Sequence, residues 1–139
     1  MNTQNYPTWL VPLEITKELK EIGFDEPCNH YVRISNDDIK LKINHSSIGL
    51  VILKRNSEYL NDDIASFVTI PTWTDVFAWF RAKGYYGNLE ASSKGASAYI
   101  YAPFLDQGTS WDIAYKESYE EAREALLLKL IDLYKAAKQ

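Results

Sequence analysis

The sequence predicts an α+β fold in which an antiparallel sheet, made of an N-terminal hairpin and a C-terminal meander, is covered by two or three helices, the last of them long. Three observations predict it. Apolar residues recur at helical spacing in three segments. Between those segments they alternate with polar residues, and turn-forming residues punctuate the boundaries. A chain of 139 residues with 46% hydrophobic content is of a size to bury one continuous core, and no linker rich in Gly, Pro or Ser interrupts it. The expectation is a single domain spanning residues 1–139.

The first helix is expected from about Pro12 to Ile22. Pro12 suits a first turn, Ile15, Leu19 and Ile22 form the apolar stripe, and Gly23 with Phe24 offers a C-terminal cap that packs back on the last turn. From His30 the period changes to two. Tyr31 and Arg33 oppose Val32 and Ile34, Asn36-Asp37-Asp38 offers a turn, and Ile39, Leu41 and Ile43 alternate with Lys40 and Lys42. Ile48 to Lys54 is uniformly apolar and reads as a third strand, central in the sheet. Ala65 to Ile70 fits neither period.

A second helix begins near Pro71-Thr72, where Trp73, Val76, Phe77 and Phe80 recur at i, i+3, i+4 and i+7, and it ends at Gly84. Three period-two segments follow, Tyr85–Ala91, Ser97–Phe104 and Ser110–Lys116, separated by Ser92-Ser93-Lys94-Gly95 and Asp106-Gln107-Gly108. In the last helix Ser118-Tyr119-Glu120-Glu121 is a capping box. Glutamates crowd its first turns and lysines its last, as the macrodipole favours. Its expected stripe is Ala122, Leu126, Leu130, Leu133 and Ala137.

Charge and composition exclude several functions. A net charge of −4 opposes non-specific binding to a polyanion. The longest apolar runs, Ile48–Leu53 and Ala125–Leu133, fall far short of the roughly 20 residues a spanning helix needs, so no membrane partner is expected. One cysteine, Cys28, closes no intramolecular disulfide, and no basic flank with an apolar run marks an exported N-terminus. The expected location is the cytoplasm.

Signatures of catalysis are missing. There is no G-x-S-x-G elbow, Walker loop, G-x-G-x-x-G turn or H-E-x-x-H pair. Cys28 and His30, with His45 downstream, are too few for zinc unless a carboxylate such as Asp25 or Asp37 is recruited, so no metal and no cofactor are expected. An enzyme would have to use Asp37, Asp62 or Asp112 with His30 or His45. The aromatic residues are more informative, because Trp73, Trp79, Tyr85, Tyr86, Tyr99, Tyr101, Trp111 and Tyr115 all follow Pro71. The stripe of Trp73, Phe77 and Phe80 sets Trp79 off to one side, beside Arg81 and Lys83. Tyr99 and Tyr101 fall on one strand face and Ile100 on the other. The candidate binding residues are therefore Trp79, Arg81, Lys83, Tyr86, Tyr101 and Trp111, while packing of the same rings in a helix–sheet seam is the competing reading.

The order helix, three strands, helix from Thr72 to Lys138 resembles that of a double-stranded-RNA-binding domain. The last helix opens with Glu120, Glu121 and Glu124 where that family presents lysines to phosphate, so duplex nucleic acid is not an expected partner. A second resemblance is broader. Pro71-Thr72-Trp73 through Trp79-Phe80-Arg81, Ser118-Tyr119-Glu120-Glu121-Ala122 through Leu130-Ile131, and the N-terminal run from Leu13 to Cys28 are similar to small uncharacterised proteins encoded by phages and prophages of gut Bacteroidota. That resemblance implies a protein made inside a bacterial host, an accessory factor acting on host machinery or defence. It carries no catalytic or binding residue with it.

The leading expectation is a non-catalytic binding protein that takes a host protein or a small ligand. One form is a sponge for a nucleotide signal, stacking a base on Trp79 or Trp111 and meeting phosphate with Arg81, Lys83 or Lys94. The alternative is a small hydrolase or nucleotide-processing enzyme, and a homodimer surface is a third use for exposed rings.

Overall fold

The computed structural model describes residues 6–36, 38–61, 64–103 and 110–138, with residues 110–114 described by their backbone alone. The turn residue Asp37, the pair Asp62 and Asp63, and the turn Asp106-Gln107-Gly108 lie outside the described residues. The α+β class is as expected: three helices and two small three-stranded antiparallel sheets. The chain forms two compact units, one ending at Trp73 and the other beginning at Thr74.

In the first unit, helix α1 (Leu13–Glu21) is followed by β1 (His30–Ser35), β2 (Asp38–Ile43) and β3 (Ala65–Ile70), in the sheet order β2-β1-β3. The α1 terminus follows from its sequence. Gly23 takes φ +98, its amide donates to the Lys20 carbonyl, and the Phe24 amide donates to the Leu19 carbonyl, while the Phe24 ring is buried. This is a Schellman cap, and only glycine enters that backbone region without strain. On one face of the sheet Val32 and Ile70 pack with Leu10 and Leu13, and Ile34, Ile39 and Leu41 lie against them. The segment Ala65–Ile70, of no clear period, is the strand that pairs antiparallel with β1 from His30↔Ile70 to Ser35↔Ala65. Its burial on both faces removes the alternation that would have marked it.

Ile48 to Lys54 corrects the expectation of a central strand. These residues form the return half of a short arm beyond β2, held by isolated bridges His45↔Val51 and Cys28↔Lys54, with no strand in either sheet. The arm turns at Gly49, and the Ile52 amide bonds back to the Asn44 carbonyl. A continuous apolar run favours burial and carries no alternation, so its exposure here was outside what periodicity can show.

The second unit holds α2 (Trp73–Ala82), β4 (Tyr86–Ser92), β5 (Gly95–Tyr101), β6 (Ser110–Lys116) and α3 (Tyr119–Ala137). Helix α2 ends as α1 does: Gly84 takes φ +92, its amide reaches Arg81, and the Tyr85 amide reaches Phe80 with its ring buried. The sheet is the expected meander, β4-β5-β6. The Ser118 hydroxyl accepts the Glu121 amide at 3.1 Å and starts α3 where the capping box placed it. The buried stripe runs through Ala122, Leu126, Leu127, Leu130, Ile131 and Tyr134, not through Leu133 and Ala137. Tyr134 explains the turn of the stripe: its ring meets Trp79 at 5.3 Å, Tyr85 at 5.9 Å and Phe80 at 6.1 Å.

Candidate functional site

The meander divides its residues between two faces by the period of a strand. On β5, Ala96, Ala98 and Ile100 are buried while Tyr99 and Tyr101 are exposed. Helix α3 covers the buried face: a Cβ placed on Gly87, the register partner of Ile100, would stand 3.2 Å from Leu126 Cδ2 and 3.3 Å from Leu130 Cδ1. The opposite face carries Tyr86, Asn88 and Glu90 from β4 and Ser97, Tyr99 and Tyr101 from β5. Tyr86, Tyr99 and Tyr101 are 41–46% exposed. Tyr86 and Tyr101 are direct register partners, with ring centroids 6.3 Å apart and planes inclined by 33°. Asn88, paired with Tyr99, donates from Nδ2 to the Tyr86 carbonyl at 3.2 Å. No lysine or arginine stands among these β4 and β5 residues. A hydrogen-bonded scaffold thus presents three phenols with no lysine or arginine beside them on β4 or β5, and a phenol combines large contact area with a polar tip.

Two of the expected site residues, Tyr86 and Tyr101, meet on this face. Tyr99 belongs with them, and the signal for it is the i, i+2 spacing with Tyr101. Trp111 pairs in register with Ile100, and its side chain lies outside the described residues, as does that of Asp112.

Trp79 corrects the reading that set it apart from the buried stripe. It is 7% exposed, in contact with Phe80 at 5.0 Å and Tyr134 at 5.3 Å. The Lys83 ammonium lies 5.2 Å from the Trp79 ring centroid, in the place a stacked ligand would take. Helix α2 therefore buries a wider arc than its 3.6-residue stripe suggested, because α3 brings Tyr134 against it. Arg81, in the last turn of α2, and Lys83, in the turn that follows it, are exposed without an open ring beside them.

In the first unit His30 and His45 line one cleft of about 600 Å³ together with Pro7, Tyr31, Leu41, Lys42 and Ile43. The Trp9 ring meets His30 edge-on at 5.2 Å, and burial lowers the imidazole below its ordinary pKa, favouring the neutral ring. Among the described residues no carboxylate lines the cleft. Cys28 is buried, its thiol 3.5 Å from the Glu26 carbonyl, and among the described residues no three His, Cys, Asp or Glu side chains come together in a group fit for a metal ion. Nor is any described helix long and apolar enough to cross a membrane.

No protein-family model, no curated protein and no solved structure matches this chain.

Proposed function

We propose that this chain is a non-catalytic binding protein that recognises a host protein through the open face of the β4–β5 strands. The observation that carries the reading is the half-exposed cluster of Tyr86, Tyr99 and Tyr101 on a sheet whose other face α3 covers. Tyrosine is enriched at protein interfaces because a rigid ring with two χ angles supplies contact area at small entropic cost. A nucleotide signal is a poorer occupant, since a polyphosphate needs cations and this face carries Glu90 and none of the basic residues. Of the residues assigned to phosphate in that version, Arg81 stands on α2, Lys83 in the turn after it and Lys94 in the β4–β5 turn, and Trp79 offers no open ring. The resemblance to phage-encoded proteins supplies the context: a cytoplasmic accessory factor of an infected bacterium, acting on host machinery or defence.

A photoreactive benzoylphenylalanine at Tyr99, activated in bacterial cells, tests the reading against the same group at exposed Glu124 on α3. A discrete protein adduct is expected from position 99 and not from position 124. Equal labelling from both positions, or none from 99, contradicts the proposal. Light scattering separates a foreign partner from a second copy of the chain.

The alternative, a small hydrolase, draws on the two histidines of the first-unit cleft. A general base at pH 7 commonly needs an orienting carboxylate, and the residues lining the cleft include none.

A further inference from the structure

The arm between β2 and β3 is the largest departure from ordinary packing in the first unit. Ile48, Leu50, Val51 and Leu53 are 56–79% exposed, although each is an aliphatic residue of a kind usually buried. Clusters of this sort mark an interaction surface. Three features identify what it meets. The first is charge: Lys42 stands at the base of the outgoing strand, Lys54 and Arg55 at the base of the returning one, and no carboxylate occurs from Ile39 to Ser57. Carboxylates close the base of the arm, Asp25 accepting the Ser57 amide at 2.8 Å and Glu58 the Arg55 amide at 3.1 Å, so the basic stretch is confined to the arm itself. The second is composition. Interface hot spots are rich in Trp, Tyr and Arg and poor in Leu and Val, whereas the arm's exposed apolar residues are all aliphatic. The third is the backbone. The Ser46 amide donates to the Leu50 carbonyl at 2.8 Å, Ile52 to Asn44 at 3.0 Å, Gly49 to Ser46 at 3.0 Å, and the Leu50 amide to Ser46 Oγ at 3.2 Å. These bonds pair four of the arm's amides internally, which lowers the cost of taking the tip out of water.

We infer that the arm is a peripheral membrane anchor: its aliphatic tip enters the interfacial layer of an anionic bilayer while Lys42, Lys54 and Arg55 meet the lipid phosphates. Apolar insertion combined with a basic collar is the two-signal arrangement that holds proteins at membrane surfaces. A surface contact of this kind needs no spanning segment. A second copy of the chain fits less well, because pairing two arms tip to tip brings two basic collars together.

Sedimentation of the full chain with vesicles of phosphatidylcholine alone, and of phosphatidylcholine mixed with phosphatidylglycerol, tests the anchor. The chain is expected to sediment with the mixed vesicles only, and to be released by raised salt. Ile48→Ser with Leu50→Ser, and separately Lys42→Glu with Arg55→Glu, are each expected to lower the vesicle partition about tenfold or more, with the melting temperature unchanged. Failure to sediment with the mixed vesicles overturns the inference. So does binding that both double variants retain, or a dimer in the absence of lipid that Ile48→Ser with Leu50→Ser disperses.

Discussion

Asn44 and Tyr59 carry much of the order in the first unit. Asn44 is buried, donates from Nδ2 to the Cys28 and Asn29 carbonyls at 3.2 Å each, and accepts the Tyr59 hydroxyl at 2.6 Å. Removing the amide takes a partner from the Tyr59 hydroxyl and from two carbonyls that keep their backbone bonds, so Asn44→Ala is expected to cost about 2 kcal/mol in urea unfolding. Tyr59 stacks on Phe67 at 5.5 Å with ring planes 13° apart, and burial pushes its phenol up to about 12. The sign follows directly. Unfolded chains lose this proton near pH 10 while the folded chain holds it, so the stabilisation is full below about pH 10 and is lost as pH rises towards 12. Tyr6 and Tyr85 are raised by burial in the same direction and steepen the decline. Urea midpoints measured across that range are expected to fall, and Tyr59→Phe to flatten part of the slope. None of this was legible in the sequence. Asn44 sits at the end of an alternating strand in a run that reads as a turn, and its burial depends on an arm and a tyrosine brought from elsewhere in the chain.

Elements were legible where local chemistry decides them. The two Schellman caps at Gly23-Phe24 and Gly84-Tyr85, the Ser118 cap and the meander all follow from residues within a few positions of one another. Ser118→Ala is expected to cost about 1 kcal/mol. Gly95 is fixed by a neighbouring strand instead: at φ +149, a Cβ there would press into the Lys116 carbonyl oxygen and stand 2.7 Å from the Tyr115 hydroxyl. Gly95→Ala should cost about 3 kcal/mol, read as a lowered urea midpoint, because the β5–β6 pairing must open to admit it. What needed the tertiary structure was the fate of apolar runs. Ala65–Ile70 went inside as β3, and its outer edge is closed by the Asn61 and Asn56 side chains, which accept the Phe67 and Thr69 amides at 3.0 and 2.9 Å. Such side-chain capping protects an edge strand from foreign pairing. Ile48–Leu53, equally apolar, went outside. Trp79 failed to follow its helix stripe for a similar reason, since Tyr134 arrives from fifty-five positions along the chain (134 − 79) and completes the aromatic seam.

At the scale of the molecule, the two exposed surfaces differ in chemistry. Half-exposed phenols, with no lysine or arginine beside them on β4 or β5, occupy the meander of the second unit. Aliphatic side chains with a basic collar occupy the arm of the first. The aromatic surplus after Pro71 was visible in the sequence, but its division was not: Trp73, Trp79 and Tyr85 are buried, while Tyr86, Tyr99 and Tyr101 face out. Strand alternation predicted the β5 half of that division and helical periodicity mispredicted Trp79. A panel of nucleoside polyphosphates is expected to leave the melting temperature unchanged at saturating concentration, because a ligand bound only by the native state must raise it. The central claim, that the tyrosine face is where a host protein is recognised, is tested most directly by quantitative capture from host lysate. Wild type should be compared with a Tyr86→Ser, Tyr101→Ser variant of equal melting temperature. The account predicts a defined protein held by the wild type and lost by the variant; an identical set retained by both would contradict it.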